Sequence, residues 1–139
     1  MNYHKIYDDF IKSREKIIYD DTIYTERHHI IPKSLGGSND NSNIIRLSYR
    51  DHYFAHVLLY KKSKNLNEKY RMSCALYTLT KNNNGKRTIS SRIYEINMIR
   101  FKSSMLEFFK SPEGKKYLKN RSIKSRKSIT DKFKYNFYH

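Results

Sequence analysis

Residues 22–62 constrain the fold more than any other stretch, because the apolar pattern changes its period within one short segment. The run TIYTERHHII (22–31) is rich in β-branched and aromatic residues and predicts a strand. Pro32 ends that strand's pairing, having no N–H to donate. SLGGSNDNSN (34–43) is dense in turn formers and predicts a loop. IIRL (44–47) predicts a second strand, and the distance suggests an antiparallel pair, with a loop longer than a tight hairpin. Ser48 then predicts a helix cap, with Asp51 three residues later as in a capping box, and the helix runs to about Lys62. Its apolar side is expected to carry Phe54, Val57 and Leu58. The segment therefore reads as strand, loop, strand, helix.

The flanks read as helical. Tyr3, Ile6, Tyr7, Phe10, Ile11, Ile17 and Ile18 follow the spacing of one helical face and predict a helix over 3–18. Helices are also expected over 67–81 and 90–110, the latter with Tyr94, Met98, Phe101, Met105 and Phe108 on one face, and a loop over 81–88. Ser111 can cap a further helix that starts at Pro112, a position where proline is tolerated. From Lys115 the chain is strongly basic with few aliphatics, which predicts an exposed helix or a tail that orders on a partner. The fold class expected is α+β. Two short antiparallel strands pack on a helix, preceded by an N-terminal helix and followed by a helical C-terminal extension. The expected divisions are 1–65, 66–110 and 111–139.

Charge narrows the partners. The chain carries 29 Lys+Arg against 13 Asp+Glu, a formal net charge of +16. Such an excess favours polyanions, nucleic acid first and anionic membrane second. No apolar run approaches the roughly 18 residues that span a bilayer. The polar start, MNYHKIYDDF, does not read as a signal peptide, so an intracellular, cytoplasmic protein is expected. Cys74 is the one cysteine, which excludes an internal disulfide and a multi-cysteine zinc site. A metal would have to be held by histidine, asparagine or carboxylate.

Four of the six histidines fall at 28, 29, 52 and 56, and the other two, His4 and His139, lie near the termini. His52 and His56 are four apart and can project together from one helix to chelate a metal. If that helix packs on the strand pair, one of His28 and His29 can complete a three-imidazole site. Neighbours on a strand point to opposite faces, so the other stays free. A free imidazole beside a metal suits a hydrolase, because its ordinary pKa of about 6.5 lies near working pH.

HHIIPKSLGGSNDNSNIIRL followed by DHYFAH resembles the HNH endonucleases, particularly the phage and homing-type branch with an HHxxP start. His28, His29, Pro32, Gly36, Gly37, Asn43, Leu47, His52 and His56 keep the family's order and spacing over about residues 24–60. The resemblance implies a ββα-metal core and a metal-dependent DNA endonuclease. It implies His29 as the general base, His28 as a metal ligand, and His52 and His56 as the helix histidines that complete the site. Asn43 resembles the central asparagine, which binds metal in some members and braces the loop in others. With His28 in place of the aspartate of other members, an all-histidine site with a bracing Asn43 is the favoured reading. Many members hold a structural zinc on two cysteine pairs, and this chain lacks them.

The expected cofactor is one divalent ion. Three imidazoles favour Zn²⁺ or Ni²⁺, while Mn²⁺ or Mg²⁺ would serve if Asn43 and water dominate the site. The expected partner is DNA, duplex above all, with no membrane and with a homodimer possible if both strands are cut. Lys33, after the turn proline, is expected to touch phosphate near the cut, and Arg46 and Arg50 flank the second strand and the helix start as further expected nucleic-acid contacts. Lys115, Lys116, Lys119, Arg121, Lys124, Arg126 and Lys127 lie in the best backbone-binding segment. The competing readings are a DNA-binding module with an inactive centre, a bacteriocin-like toxin and an RNA nuclease.

Overall fold

A two-stranded hairpin is at best marginally stable alone in water, so a strand pair of five residues each must be covered on one face. The computed structural model shows how. It describes residues 1–81 and 84–137, with side chains as far as Lys127 apart from Arg126. In chain order the elements are α1 (Tyr3–Arg14), β1 (Thr25–His29), β2 (Ile44–Ser48), α2 (Tyr49–Lys62), α3 (Leu66–Leu79), α4 (Ser91–Lys110) and α5 (Pro112–Phe137). The described residues thus form an α+β arrangement of five helices and one antiparallel sheet, compatible with a ββα fold.

Asn2 starts α1 by accepting from the Lys5 N–H at 3.1 Å. The helix buries Tyr7 and Ile11 and ends at Arg14, earlier than the periodicity suggests. Ile17 and Ile18 are 41% and 96% exposed. β-branched neighbours are weak helix formers, and Asp20 Oδ1 accepts from the Thr22 N–H at 2.8 Å, closing a turn that redirects the chain. The same turn delays β1 to Thr25.

β1 and β2 pair with His28 opposite Ile45 and Arg27 opposite Arg46. Two short 3₁₀ turns, Lys33–Leu35 and Asn41–Asn43, carry the chain between them. Gly36 ends the first with φ of 91°, a left-handed conformation that glycine adopts at no steric cost. Ser48 caps α2, accepting from the Asp51 N–H at 3.2 Å. The expected capping box is only half formed, because the Asp51 carboxylate turns to Arg14, which donates from Nε at 2.9 Å and Nη2 at 3.3 Å.

The core lies between α1, the inner face of the sheet and α2, where Tyr7, Ile11, Ile45, Leu47, Ala55, Leu58, Leu59 and Met72 are buried. The buried stripe of α2 is therefore His52, Ala55, Leu58 and Leu59, rotated from the expected Phe54, Val57 and Leu58. Phe54 is 45% exposed and meets Phe10 edge-on at 5.1 Å. The rotation follows from turning the two helix histidines toward β1.

A second, aromatic packing layer joins α3, α4 and α5. Tyr70 stacks on Phe108 at 5.2 Å and Tyr77 on Phe101 at 5.1 Å. The buried positions of α4 are Asn97, Ser104 and Phe108, whereas Tyr94, expected on the inner face, is 45% exposed. Ser111 accepts from the Gly114 N–H at 3.1 Å, which starts α5 where the Ser-Pro pair predicts it.

Gly37 is fixed by crowding rather than by its backbone angles. A Cβ there would meet the Ile31 carbonyl oxygen directly and the Asn43 Nδ2 at 2.9 Å. Neither can withdraw, because the two are hydrogen-bonded to each other. Gly37→Ala should therefore lower stability by about 1–3 kcal/mol, read from the urea denaturation midpoint. An unchanged midpoint would show that this loop is not the rigid support it looks to be.

Candidate metal centre

Strand alternation puts Glu26 and His28 on the covered face of β1 and Arg27 and His29 on the open face. On α2, His52 and His56 stand one turn apart, and both face β1 because Ala55 and Leu59 seat the helix on the core. The three rings of His28, His52 and His56 consequently converge. Their centroids are separated by 5.1 Å (28–52), 5.0 Å (28–56) and 4.9 Å (52–56). Each offers a ring nitrogen, and these atoms all lie within 4.8 Å of one another, so the cluster could hold a metal ion.

Neighbouring groups decide where the protons sit. The Tyr7 hydroxyl donates to the Ile30 carbonyl at 2.7 Å and so spends its one hydrogen. At 2.9 Å from His28 Nε2 it can only accept, which puts the proton of His28 on Nε2 and leaves Nδ1 as a bare lone pair. That Nδ1 is buried and has no hydrogen-bond partner. Glu26 Oε2 accepts from His52 Nδ1 at 2.6 Å, so the lone pair of His52 is on Nε2. His56 Nε2 lies 3.2 Å from that atom, and His56 Nδ1 is a second buried nitrogen without a partner. Orphaned, buried lone pairs beside one another are unfavourable unless a cation takes them. A carboxylate behind a ligand histidine is also the usual outer support of a metal site. The residues present therefore fit a divalent ion.

The electrostatics agree. Burial, then the neighbouring imidazoles His56, His52 and His29, push the pKa of His28 down to about 2. Burial and His52 push that of His56 down to about 3. His52 is also lowered by burial, which outweighs the opposing pull of Glu26. Burial alone would raise Glu26, but the hydrogen bonds from Arg87, Tyr24 and His52 outweigh it and hold the carboxyl at about 2. The cluster is thus three neutral imidazoles, the protonation state that metal ligation requires.

His29 stands apart, half-buried on the open face, with Nε2 3.0 Å from Asn39 Oδ1. Arg27, His29, Pro32, Lys33, Ser34, His52 and His56 line one cleft of about 260 Å³. Asn43 is buried and wholly engaged with backbone. Its Oδ1 accepts from the Ile31 N–H at 2.8 Å, and its Nδ2 donates to the Ile31 and Ser38 carbonyls at 3.0 and 2.9 Å. Of the basic residues singled out from sequence, Lys33 lines the cleft, Arg46 donates to Thr25 Oγ1 at 2.8 Å, and Arg50 is exposed on the first turn of α2. Lys115, Lys116, Lys119, Arg121, Lys124 and Lys127 are exposed along α5 and none lines the cleft. Arg126 lies in α5 with its side chain outside what is described, and His139 lies outside the described residues. No helix of the described residues is long and apolar enough to cross a membrane.

Sequence reasoning missed Glu26, Tyr7, Arg27, Asn39 and Arg87. Glu26 had a signal: it shares a strand face with His28, and an acid on a covered face must be paired. Tyr7 and Arg87 come from remote segments and had none.

The chain is 36% identical to "Probable mobile endonuclease B" of Enterobacteria phage T4, a match covering 93% of this chain and 50% of that protein. To "Probable mobile endonuclease D" of the same phage it is 34% identical, over 88% of this chain and 49% of the relative. A shorter match, 48% identical over 64 residues, links it to "Probable mobile endonuclease E" of that phage. The chain spans about half the length of the curated relatives it matches along most of its own length. No family model matches it, and no solved structure matches it.

The depressed imidazoles set the sign of a pH effect. Unfolded histidines titrate near 6.5, far above His28 and His56 in the fold, so below that pH the unfolded chain binds more protons. The stability these groups contribute is complete above about pH 6.5 and is lost as pH falls. Each imidazole costs up to about 1.4 kcal/mol per pH unit. Glu26, whose carboxyl is held low, adds a loss of the same sign below its ordinary 4.5. The melting temperature of EDTA-treated protein should hold steady down to about pH 6.5 and fall steeply toward about pH 5. A flat profile over that interval would contradict the neutral cluster.

Proposed function

We propose that this chain, in keeping with its similarity to phage mobile endonucleases, is a metal-dependent DNA endonuclease of the HNH type built on a ββα-metal core. The observation that carries the reading is a largely buried three-imidazole cluster, two of whose members line the same cleft as a fourth, half-exposed imidazole, in a chain of net charge +16. His28, His52 and His56 would hold one divalent ion. A set of neutral imidazoles favours Zn²⁺ or Ni²⁺ over Mg²⁺, and Asn43, whose amide is spent on the Ile31 and Ser38 backbone, reads as a brace rather than a ligand. Bound there, the ion supplies Lewis-acid stabilisation of the charge that develops on the phosphate and on the departing oxygen.

His29 does the proton chemistry. Asn39 Oδ1 is an acceptor, so it takes the Nε2 proton of His29 and leaves Nδ1 unprotonated. That nitrogen removes a proton from the attacking water. Asn43 holds the Ile31–Ser38 turn that follows His29, which keeps the imidazole in the cleft. The products are expected to carry 5′-phosphate and 3′-hydroxyl ends. Lys33 and Arg46 would meet the phosphates beside the cut, with Arg50 and the exposed cations of α5 holding the flanking duplex. Arg27 joins them, since it lines the cleft and faces Arg46 across the strands. Directly opposed like charges destabilise a sheet by themselves, and a bound phosphate relieves the repulsion. One such centre cuts one strand, so double-strand cleavage would need two copies or two events.

Plasmid nicking tests the reading, using wild type and His29→Ala with EDTA and then added Mg²⁺, Mn²⁺, Ni²⁺ or Zn²⁺. Wild type should nick only with metal. His29→Ala should lose about 10²–10⁴ in rate while still binding DNA. Tight binding without nicking under any metal would replace the nuclease with a DNA-binding module whose centre is inactive.

A further inference from the structure

The bottom of the metal centre is not built by the strand–loop–strand–helix segment alone. Glu26, whose carboxylate positions His52, is itself held from a distant part of the chain. Arg87 Nε donates to Glu26 Oε1 at 2.7 Å across 61 positions of sequence. The Tyr24 hydroxyl donates to the same oxygen at 2.6 Å, and His52 Nδ1 takes the other oxygen at 2.6 Å. The side chains of Glu26, His52 and Arg87 are 8%, 10% and 14% exposed, so this is a buried network rather than a screened surface pair.

The segment around Arg87 is shaped to deliver it. Asn84 and Gly85 both have positive φ, 51° and 77°, which turns the chain back after α3. Arg87 Nη1 then donates to the Lys81 carbonyl at 3.3 Å, and its guanidinium lies 5.6 Å over the ring of Tyr49, the first residue of α2. The Tyr49 hydroxyl donates in turn to the Leu79 carbonyl at 3.1 Å. Arg87 is therefore wedged between the end of α3, the start of α2 and the buried face of β1.

We infer that Arg87 is a positioning residue for the metal centre: by fixing Glu26 it fixes the ring and tautomer of His52, so that the helical half of the chain sets the affinity of the three-imidazole site for a divalent ion. The inference rests on the metal-binding reading above. Without Arg87, Oε1 keeps, among the described residues, the Tyr24 hydroxyl alone, and the side chain of Glu26 is no longer pinned beside His52. A carboxylate that swings aside lets His52 place its own proton on Nε2, the atom that faces His56, and withdraws that lone pair from the site. Loss of such outer support costs about 10–100-fold in metal affinity.

The test uses the whole chain stripped of metal. Zn²⁺ binding is measured by calorimetry for wild type, Arg87→Gln and Arg87→Lys, and the imidazole ¹⁵N shifts of the metal-free proteins report the His52 tautomer. Arg87→Gln should bind Zn²⁺ about 10–100-fold more weakly, with His52 moving from a pure Nδ1–H tautomer to a mixture. Arg87→Lys, which keeps the charge but not the planar fork, should recover part of both. If Arg87→Gln does not fold, a weakened and tautomer-mixed Arg87→Lys supports the inference, and a Lys variant that matches wild type overturns it. A folded Arg87→Gln with wild-type affinity and an unchanged His52 tautomer also overturns it, reducing Arg87 to a structural ion pair. Wild type that binds no Zn²⁺, Ni²⁺ or Mn²⁺ overturns the metal site itself. In that case the ¹⁵N shifts still separate the two failures, because they show whether Arg87 governs His52.

Discussion

Burying a carboxylate costs several kcal/mol unless its charge is met, and the surroundings of Glu26 are arranged to meet it. A tyrosine two residues earlier on the chain, a histidine from α2 and an arginine from beyond α3 all donate to it. Each donor brings its own segment with it. The carboxylate thus ties the strand, the helix that carries two of the three clustered histidines, and the connection between α3 and α4 into one unit. On the other side of the cluster, Tyr7 of α1 does the same for His28 with a single hydroxyl. Both arrangements leave ring nitrogens bare and turned inward.

That arrangement divides the work between two kinds of imidazole. Of the clustered three, His28 and His52 are buried and His56 is half-buried; burial keeps them neutral, and Tyr7 and Glu26 accept the protons of His28 and His52, which suits holding an ion. His29 is displaced by one position along the strand, so it faces the other way and meets solvent in the cleft. Its hydrogen bond with Asn39 orients the ring. Rigidity comes from the loop between the strands, where Asn43 makes three backbone hydrogen bonds and Gly37 leaves room for the Ile31 carbonyl.

The helical half supports this centre through contacts of mixed character. Met72 of α3 completes the aliphatic core, while Tyr53 and Tyr60 of α2 reach Asn97 and Ser104 of α4 at 3.3 and 3.5 Å. Beyond that interface the packing is aromatic, ring on ring from Tyr70 through Phe108 to Tyr117. A modest supply of aliphatic residues is thereby stretched by large planar side chains, which bury much area per residue. It leaves the exposed face of α5 free to carry its lysines and arginines.

Much of the centre was legible in the sequence because its parts obey short-range periods. Period two along 26–29 separates His28 from His29, and period three to four along α2 brings His52 and His56 to one side. The Ser48 cap and the Gly-Gly turn mark where those periods change. Local rules were less sure where two of them compete, as at Ile17 and Ile18, whose apolar spacing continues a helix that has already ended at Arg14, ahead of the Asp20 turn. They also misplaced the inner stripe of α2, since Phe54 looks more like a core residue than Ala55 until the histidines demand that side of the helix. By itself, then, the sequence determined the order of elements, the charge and the identity of the four central histidines, all properties of neighbours in the chain. Only the tertiary structure decided that Tyr7, Glu26 and Arg87 hold those histidines in place, because a hydrogen bond to a buried group depends on distance in space, and no period in the chain encodes that.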